Sequence, residues 1–231
     1  MEYINNPYFL LALTFAVYAI AQIVQVRCHS SLFNPILITI ALIIVFLMVF
    51  NIPFETYSTS GKYIEFWLKP AVVALGVPLY KQLSTIRKQI LPILLSALGG
   101  CIAGTVSVVF IADLFGATHE IVMSLAAKSV TTPIAMEVTE ALGGIPSLTA
   151  AVVVAVGIFG GMTGFHVMRF SHVNSPIAQG LSLGAAAHAV GTSRAITVSD
   201  HYGAFASLGL TLNGLFTAIL TPPILHLLGY Y

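Results

Sequence analysis

The sequence predicts an all-α integral membrane protein with about six transmembrane helices, two opposed re-entrant or broken-helix hairpins, and an inverted internal repeat. Two observations support this fold class. Of the 231 residues, 58% are hydrophobic and only 7% are charged, whereas about a quarter of the residues in a soluble domain are charged. Several apolar runs also approach the roughly 20 residues that a helix needs to cross a bilayer. We therefore expect one polytopic domain over residues 1–231, in the cell membrane.

Six runs have the length and composition of full crossings, and the third is the weakest of them. That run contains Lys69, Pro70, Gly76 and Pro78, which predicts a kinked or partly unwound helix because proline removes a helical hydrogen bond. No basic residue precedes the first run, so we expect a retained helix rather than a cleaved signal peptide. The six runs are 8–26, 33–50, 64–80, 90–114, 146–168 and 203–228.

Residues 118–142 and 175–200 are predicted to form the two broken-helix hairpins. Each joins two apolar halves of about 7 to 12 residues across a polar centre, so neither half can span the roughly 30 Å hydrocarbon core. A shift of 60 residues aligns Lys128 with His188 and Thr132 with Thr192, which indicates an internal repeat. Inverted repeats with interrupted helices recur in secondary transporters.

The positions of the basic residues predict the orientation of the chain, because cytoplasmic loops are enriched in Lys and Arg. A re-entrant first hairpin places Arg27, Lys81, Arg87, Lys88 and Arg169 on one face, whereas a fully spanning segment moves Arg169 to the other face. We prefer the re-entrant arrangement. It places both termini outside the cytoplasm.

The polar centres of the hairpins predict a binding site for a small organic anion. An interrupted helix frees backbone N–H groups that carry partial positive charge and favour anions. Hydroxyl groups can donate to a carboxylate, Lys128 and Arg194 add full positive charge, and an Arg fork matches a carboxylate. The predicted substrate-binding residues are Lys128, Ser129, Thr131, Thr132, Pro133, Glu137, His188, Gly191, Thr192, Ser193 and Arg194, with Asn34 and Pro78 as further candidates.

Structural roles remain open beside this hypothesis, although ionisable residues within membrane segments indicate function by default. Lys128 could pair with Glu120 or Glu137. Arg194 could pair with Asp200 or extend to the cytoplasmic surface. His188 could carry a coupled proton or donate a hydrogen bond to a fixed partner.

Several function classes are disfavoured. No hydrolytic triad is evident, and His166 and His172 lack partners at metal-ligand spacing, so we expect no enzyme activity, no cofactor and no metal. A net charge of +1 gives no reason to expect a nucleic-acid partner. Cys28 and Cys101 are too few for a disulfide framework and are predicted to be small packing residues. Glycine pairs spaced four residues apart are predicted to allow close helix packing, at 100/104, 157/161, 160/164 and 180/184.

Five segments resemble the LrgB/CidB family, in order and over nearly the whole chain. The resemblance implies bacterial membrane proteins described as antiholin-like or holin-like regulators of murein hydrolase activity and autolysis, which act with a holin-like membrane protein of the LrgA/CidA type. The family also resembles the C-terminal half of the plant plastid glycolate/glycerate translocator, and bacterial relatives are linked to pyruvate uptake. The segments are "NPILITI" (34–40), "LKPAVVALGVPLYKQL" (68–83), "KSVTTPIAMEV" (128–138), "GGIPSLTA" (143–150) and "GLSLGAAAHAVGTSRA" (180–195).

The residues and the resemblance together predict a membrane transporter for small monocarboxylates of the pyruvate, lactate, glycolate or glycerate type. The alternative is a regulator of murein hydrolase activity and autolysis that acts with a holin-like membrane partner. The expected partners are a small organic anion, an LrgA/CidA-type protein and the lipid bilayer, with a homo-oligomer as a further candidate.

Overall fold

The computed structural model describes residues 6–28, 35–74, 76–81 and 83–230, and over these residues the chain is helical without strands. The predicted all-α membrane fold is confirmed. The chain forms two compact units, residues 1–74 and residues 75–231. A single membrane domain over the whole chain stays a prediction.

The first unit consists of three helices, in which α1 contacts both others. The hydroxyls of Thr14 on the first helix and Tyr57 on the third lie 3.1 Å apart. The rings of Phe9 and Phe46 join the first helix to the second, with centroids 6.5 Å apart. The three helices are α1 (Pro7–Cys28), α2 (Pro35–Val49) and α3 (Phe54–Ala74).

Two predicted crossings in this region differ from the observed helices. The second, 33–50, is observed as α2 with 15 residues, which reach about 22 Å, while residues 33 and 34 lie outside the described part of the chain. The third predicted crossing, 64–80, begins ten residues after the observed helix. Polar residues end an apolar run, but they can still be helical. The observed helix α3 starts at Phe54 and continues through Pro70 to Ala74. Residue 75 lies outside the described part of the chain, so a kinked or partly unwound helix in this run stays a prediction.

The second unit contains the remaining helices. Within it α10 packs against α11 and α9, α11 packs against α6, and α8 packs against α9. The helices are α4 (Gly76–Lys81), α5 (Leu83–Lys88), α6 (Ile90–Leu114), α7 (His119–Ala126), α8 (Thr132–Ala141), α9 (Pro146–Phe170), α10 (Pro176–Ile196) and α11 (Asp200–Leu227).

Four helices in the described residues have the length and apolar composition to cross a membrane: α1, α6, α9 and α11. They contain 21 to 28 residues, and α2 is a shorter apolar helix. This set of helices supports a multi-pass membrane protein. The orientation of the termini stays a prediction.

Both predicted broken segments are confirmed. In the first, α7 ends at Ala126, α8 begins at Thr132, and Ala127 leaves helical geometry with φ −96° and ψ 20°. In the second, α10 is interrupted at Ala187 (φ −119°, ψ 16°) and His188 (φ 41°, ψ −130°). The first non-helical residues, 127 and 187, are the positions that the 60-residue repeat aligns. Whether each segment is re-entrant stays a prediction.

Hydroxyl groups hold the first broken segment against α9. Ser124 on α7 accepts a hydrogen bond from the Ile145 N–H at 2.7 Å. The Thr149 hydroxyl on α9 donates to the Ser124 carbonyl at 2.9 Å, and its oxygen lies 2.9 Å from the Thr139 hydroxyl on α8, which can donate to it. All three hydroxyl-bearing residues are fully buried. These bonds connect the ends of α7 and α8 to one helix and so position the break between them.

Three of the four glycine pairs pack closely, as predicted. A Cβ on Gly184 would collide with the Ala206 backbone, one on Gly160 would lie 2.7 Å from the Ala187 Cβ, and one on Gly161 would lie 3.1 Å from a Val190 methyl. The prediction is wrong for the pair 100/104, where an added Cβ would meet nothing within 4 Å. Those two glycines line a cavity of the second unit.

Candidate functional site

A cavity of about 330 Å³ lies inside the second unit, between α6, α10, α11 and the break after α7. A volume of this size is at the lower end of the range for small-molecule sites. The α6 wall is made largely of small residues, and the α10 wall comes from Leu181, Ser182, Ala185 and Ala186, in the turns before the kink. The lining residues with a hydroxyl, amide or ammonium group are Ser96, Thr105, Lys128, Ser129, Ser182, Asn213 and Thr217.

Lys128 is the one charged residue among those that line the cavity. Its side chain is half-buried, and its ammonium donates to the Ser129 hydroxyl at 3.2 Å. The structure therefore does not show the alternative in which Lys128 pairs with Glu120 or Glu137: within the described residues, no carboxylate oxygen lies within 4.0 Å of the ammonium. The ammonium is left with a neutral partner at the edge of an open cavity.

Asn213, on α11, connects the two broken segments. Its side-chain nitrogen donates to the Ser129 carbonyl at 3.0 Å and to the Ala185 carbonyl at 2.9 Å. The residue is 3% exposed and lines the cavity. One buried amide thus ties the first break to the turn of helix that precedes the second.

Asn213 is not among the residues predicted from the sequence. A detectable signal was present, because it is the one amide in the apolar stretch "LGLTLNGLFTAIL" (208–220). Polar side chains are costly in a membrane helix unless they have partners or a function.

The second break is held by its own polar side chains. The His188 Nε2 atom lies 2.9 Å from the Val153 carbonyl of α9, so this nitrogen carries the hydrogen and donates it. The Thr192 hydroxyl donates to the His188 carbonyl at 2.9 Å. Both side chains are buried and neither lines the cavity. Gly191 packs against the Leu183 carbonyl, where a side chain would collide.

Arg194 and Ser193 lie on the exposed surface of α10 and outside the cavity lining. The Arg194 guanidinium donates to the Thr197 hydroxyl at 3.4 Å. The predicted structural alternative, an ion pair with Asp200, is not observed, because the Asp200 carboxylate lies 3.6 Å from the Lys81 ammonium instead.

Of the thirteen residues predicted from sequence, the structure therefore brings Lys128 and Ser129 to the cavity. Thr131 and Thr132 are half-buried and Pro133 and Glu137 are exposed, and none of these four lines the cavity. Asn34 and the side chain of Pro78 lie outside the described residues.

The structure describes the side chain of only one of the two cysteines, Cys101. Cys101 is a free, buried cysteine whose sulfur lies 3.5 Å from the Thr217 hydroxyl. It packs as predicted while it also lines the cavity. The side chain of Cys28 is outside the described residues.

The cavity combines one ammonium, several hydroxyls and one amide with walls of glycine and alanine. Its chemistry suits a small molecule with one carboxylate, since an ammonium forms strong charge-assisted hydrogen bonds to that group. A cavity of about 330 Å³ leaves room for few atoms besides the carboxylate.

Comparison with known proteins assigns the chain to a family. The model of the LrgB-like family matches residues 14–227. The chain is 34% identical to the antiholin-like protein LrgB of Bacillus mycoides (strain KBAB4), over 97% of this chain and 98% of that protein. It is 35% identical to the uncharacterized protein YxaC of Bacillus subtilis (strain 168), over 94% of this chain and 95% of that protein. No solved structure matches the chain. The family match and the identity over nearly the full length show that this chain belongs to the LrgB family.

Proposed function

We propose that this LrgB-family protein carries small monocarboxylates, of the pyruvate, lactate, glycolate or glycerate type, across the membrane. The observation that carries the proposal is the Lys128 ammonium, which lines a cavity of about 330 Å³ and has no carboxylate within 4.0 Å in the described residues. The substrate carboxylate supplies the missing counter-charge.

Electrostatics favours this role over a purely structural one. A half-buried ammonium without a counter-charge costs free energy, because desolvation is not compensated. A structural lysine would recover that cost by pairing with a carboxylate of the chain, and Lys128 has no such pair in the part of the chain that the structure describes. An anion that enters the cavity recovers it instead, in competition with water.

The surrounding helices supply a means of movement. The cavity is bordered by a break in one helix and lies next to a break in another, which is the arrangement in which transporters bind substrate between discontinuous helices. Asn213 couples the two segments through its two hydrogen bonds. In this proposal the broken segments move together and expose the cavity to one side of the membrane at a time. His188 serves as a fixed donor, so proton coupling through its ring is not part of the proposal.

The names of the relatives favour a second function, regulation of murein hydrolase activity together with a holin-like membrane partner. The LrgB relatives of Bacillus mycoides and Bacillus cereus are described as antiholin-like proteins, and that description mentions no carboxylate. On the comparisons alone, this alternative has better support than monocarboxylate transport. The cavity and its lysine are what support transport.

Uptake of radiolabelled pyruvate and lactate into proteoliposomes, with and without the holin-like partner, tests the proposal. We expect saturable uptake by the wild type, loss in Lys128→Met, and retention in the matched control Lys88→Met, since Lys88 is exposed on α5. Absence of saturable uptake in both preparations would reject transport. A change in autolysis on co-expression with the partner would then leave regulation as the function.

We also propose that the first broken segment is re-entrant and that both termini lie outside the cytoplasm. Lys62 and Arg169 are both exposed, so a cysteine at either position can be labelled once Cys28 and Cys101 are replaced by serine. Labelling of Lys62→Cys and Arg169→Cys from opposite sides of the membrane is expected. Labelling of both from the same side means that the segment spans.

A further inference from the structure

We infer, on the basis of the transport function proposed above, that Asn213 makes the cavity select 2-hydroxy acids over the matching 2-oxo acids. The reason is that the Asn213 side-chain oxygen faces the cavity as a hydrogen-bond acceptor that cannot donate.

The orientation of the Asn213 amide follows from its partners. The two hydrogens of its nitrogen are used by the Ser129 and Ala185 carbonyls, at 3.0 and 2.9 Å. Carbonyl oxygens only accept, so the nitrogen must face them and the oxygen must point elsewhere. The amide therefore cannot flip without losing both hydrogen bonds.

The Asn213 oxygen borders open space rather than packed protein. Asn213 lines the cavity although only 3% of the residue is exposed. Within the described residues no hydrogen bond reaches the Asn213 oxygen, yet this oxygen is not one of the inaccessible side-chain atoms without a partner. The oxygen is therefore reachable from the cavity and free to accept from a ligand.

The other polar groups that line the cavity do not distinguish a hydroxyl from a ketone. The Lys128 ammonium only donates, so it binds a carboxylate and either kind of neighbouring oxygen. The hydroxyls of Ser96, Thr105, Ser129, Ser182 and Thr217, which also line the cavity, can donate or accept, so they adapt to both. The Asn213 oxygen accepts only, and a ketone has no hydrogen to offer it.

Lys128 and Asn213 are close enough to act on one small ligand. The Lys128 ammonium contacts the Ser129 hydroxyl at 3.2 Å, and the Asn213 nitrogen contacts the carbonyl of the same residue. With its carboxylate at Lys128, a 2-hydroxy acid can donate its hydroxyl hydrogen to the Asn213 oxygen. The corresponding 2-oxo acid places a second acceptor there, so two oxygens face each other without a hydrogen between them.

Lactate and pyruvate are the matched pair for the test, since they have the same carbon skeleton and charge and differ only at the 2-oxygen. One neutral hydrogen bond changes affinity by about three- to tenfold. We expect lactate to bind the wild type more tightly than pyruvate by that factor. Propionate, which has no 2-oxygen, is expected to bind more weakly than lactate.

The experiment measures dissociation constants of lactate, pyruvate and propionate for the purified full-length protein in detergent, by titration calorimetry. Asn213→Leu, which has similar size and no polar atom, should bring the pyruvate-to-lactate ratio of dissociation constants to about one. The control Thr163→Val should keep the wild-type ratio, because the Thr163 hydroxyl bonds within its own helix, to the Phe159 carbonyl.

Each possible result either supports or contradicts the selectivity assigned to Asn213. Pyruvate binding as tightly as lactate to the wild type overturns the selectivity of Asn213 while the anion site stands. Absence of binding by all three acids overturns the anion site and the selectivity together. The wild-type ratio is decisive even if Asn213→Leu does not fold, and an unchanged ratio in a folded Asn213→Leu assigns the selectivity to another group.

Discussion

The two breaks in the second unit begin alike and differ in chemistry. Ala127 and Ala187, which are 60 residues apart, leave helical geometry with similar dihedral angles. The next residue is Lys128 in one case and His188 in the other. The lysine borders a cavity and has no carboxylate partner among the described residues, whereas the histidine is buried and bonded to a carbonyl of α9. The repeat preserves the backbone interruption, and neighbouring helices decide whether the residue beside it faces open space.

The partners of the two breaks are themselves related by the 60-residue shift. The first break is bonded by Asn213 of α11, and the second is bonded to Val153 of α9. Positions 153 and 213 are separated by the same 60-residue shift, so each break is hydrogen-bonded to the helix that follows the other broken segment, and the first segment is bonded to α9 as well. The two breaks can therefore be compared by substitutions at aligned positions.

The largest effect is expected from replacing Lys128, and its aligned residue His188, by methionine. Lys128→Met removes a charge-assisted hydrogen bond to the substrate and should weaken substrate binding by about 10- to 150-fold, with little loss of protein in the membrane. His188→Met should do the reverse, because it leaves the Val153 carbonyl without its donor. Substrate affinity and membrane abundance, measured together for both variants, check this prediction. Reduced affinity in folded His188→Met would mean that the two breaks share one site.

Glycine substitutions on the helices that face the two breaks should come next. A Cβ at Gly157 would lie 2.5 Å from the His188 ring, so Gly157→Ala forces that ring to move and should destabilise the protein by about 1–3 kcal/mol. Gly100→Ala, on the cavity wall, meets nothing within 4 Å and should leave the unfolding temperature in detergent nearly unchanged. Equal losses for the two variants would contradict the proposed difference in packing.

A smaller effect on stability is expected from valine substitutions of Thr132 and Thr192, which the 60-residue shift aligns. Thr192→Val loses the hydrogen bond that its hydroxyl donates to the His188 carbonyl at 2.9 Å and should destabilise the protein by about 0.5–1.5 kcal/mol. Thr132→Val changes a half-buried residue whose hydroxyl has no partner within the described chain, so it should be nearly neutral. Thermal unfolding of the two variants in detergent measures the difference. A larger loss of stability in Thr132→Val than in Thr192→Val would contradict the roles assigned to the two hydroxyls.

The smallest effect is expected from Arg194. Its side chain is exposed and donates one hydrogen bond, to Thr197, and exposed residues away from such special features usually change stability by less than about 0.5 kcal/mol. Arg194→Ala should therefore change both membrane abundance and substrate affinity by less than about threefold. A loss of affinity as large as that of Lys128→Met would show that Arg194 reaches the substrate in a conformation other than the one described.

The helices and their interruptions could be predicted from the sequence because they depend on local properties. Apolar runs such as 90–114 and 146–168 coincide with α6 and α9 to within two residues. The polar centres at 128 and 188 coincide with the breaks, because a short apolar half followed by hydroxyls and a charge does not continue a membrane helix. The start of α3 was missed because its first ten residues are polar and still helical.

The candidate site could be predicted only in part. Lys128 and Ser129 were identified because a charge in an apolar segment is visible without a structure. Asn213 was not, since a single amide on a long helix gives no indication of which segment it will meet.

The sequence by itself therefore determined the class of protein, the order of its helices, the two interruptions and the presence of a buried cation. These follow from hydropathy, charge and proline or glycine positions, which act over one or two helical turns. The tertiary structure alone decided which side chains face the cavity. Gly100 and Gly157 have the same local spacing, yet one borders open space and the other receives the His188 ring. That difference depends on which helix packs against each face, and residues distant in the sequence determine it.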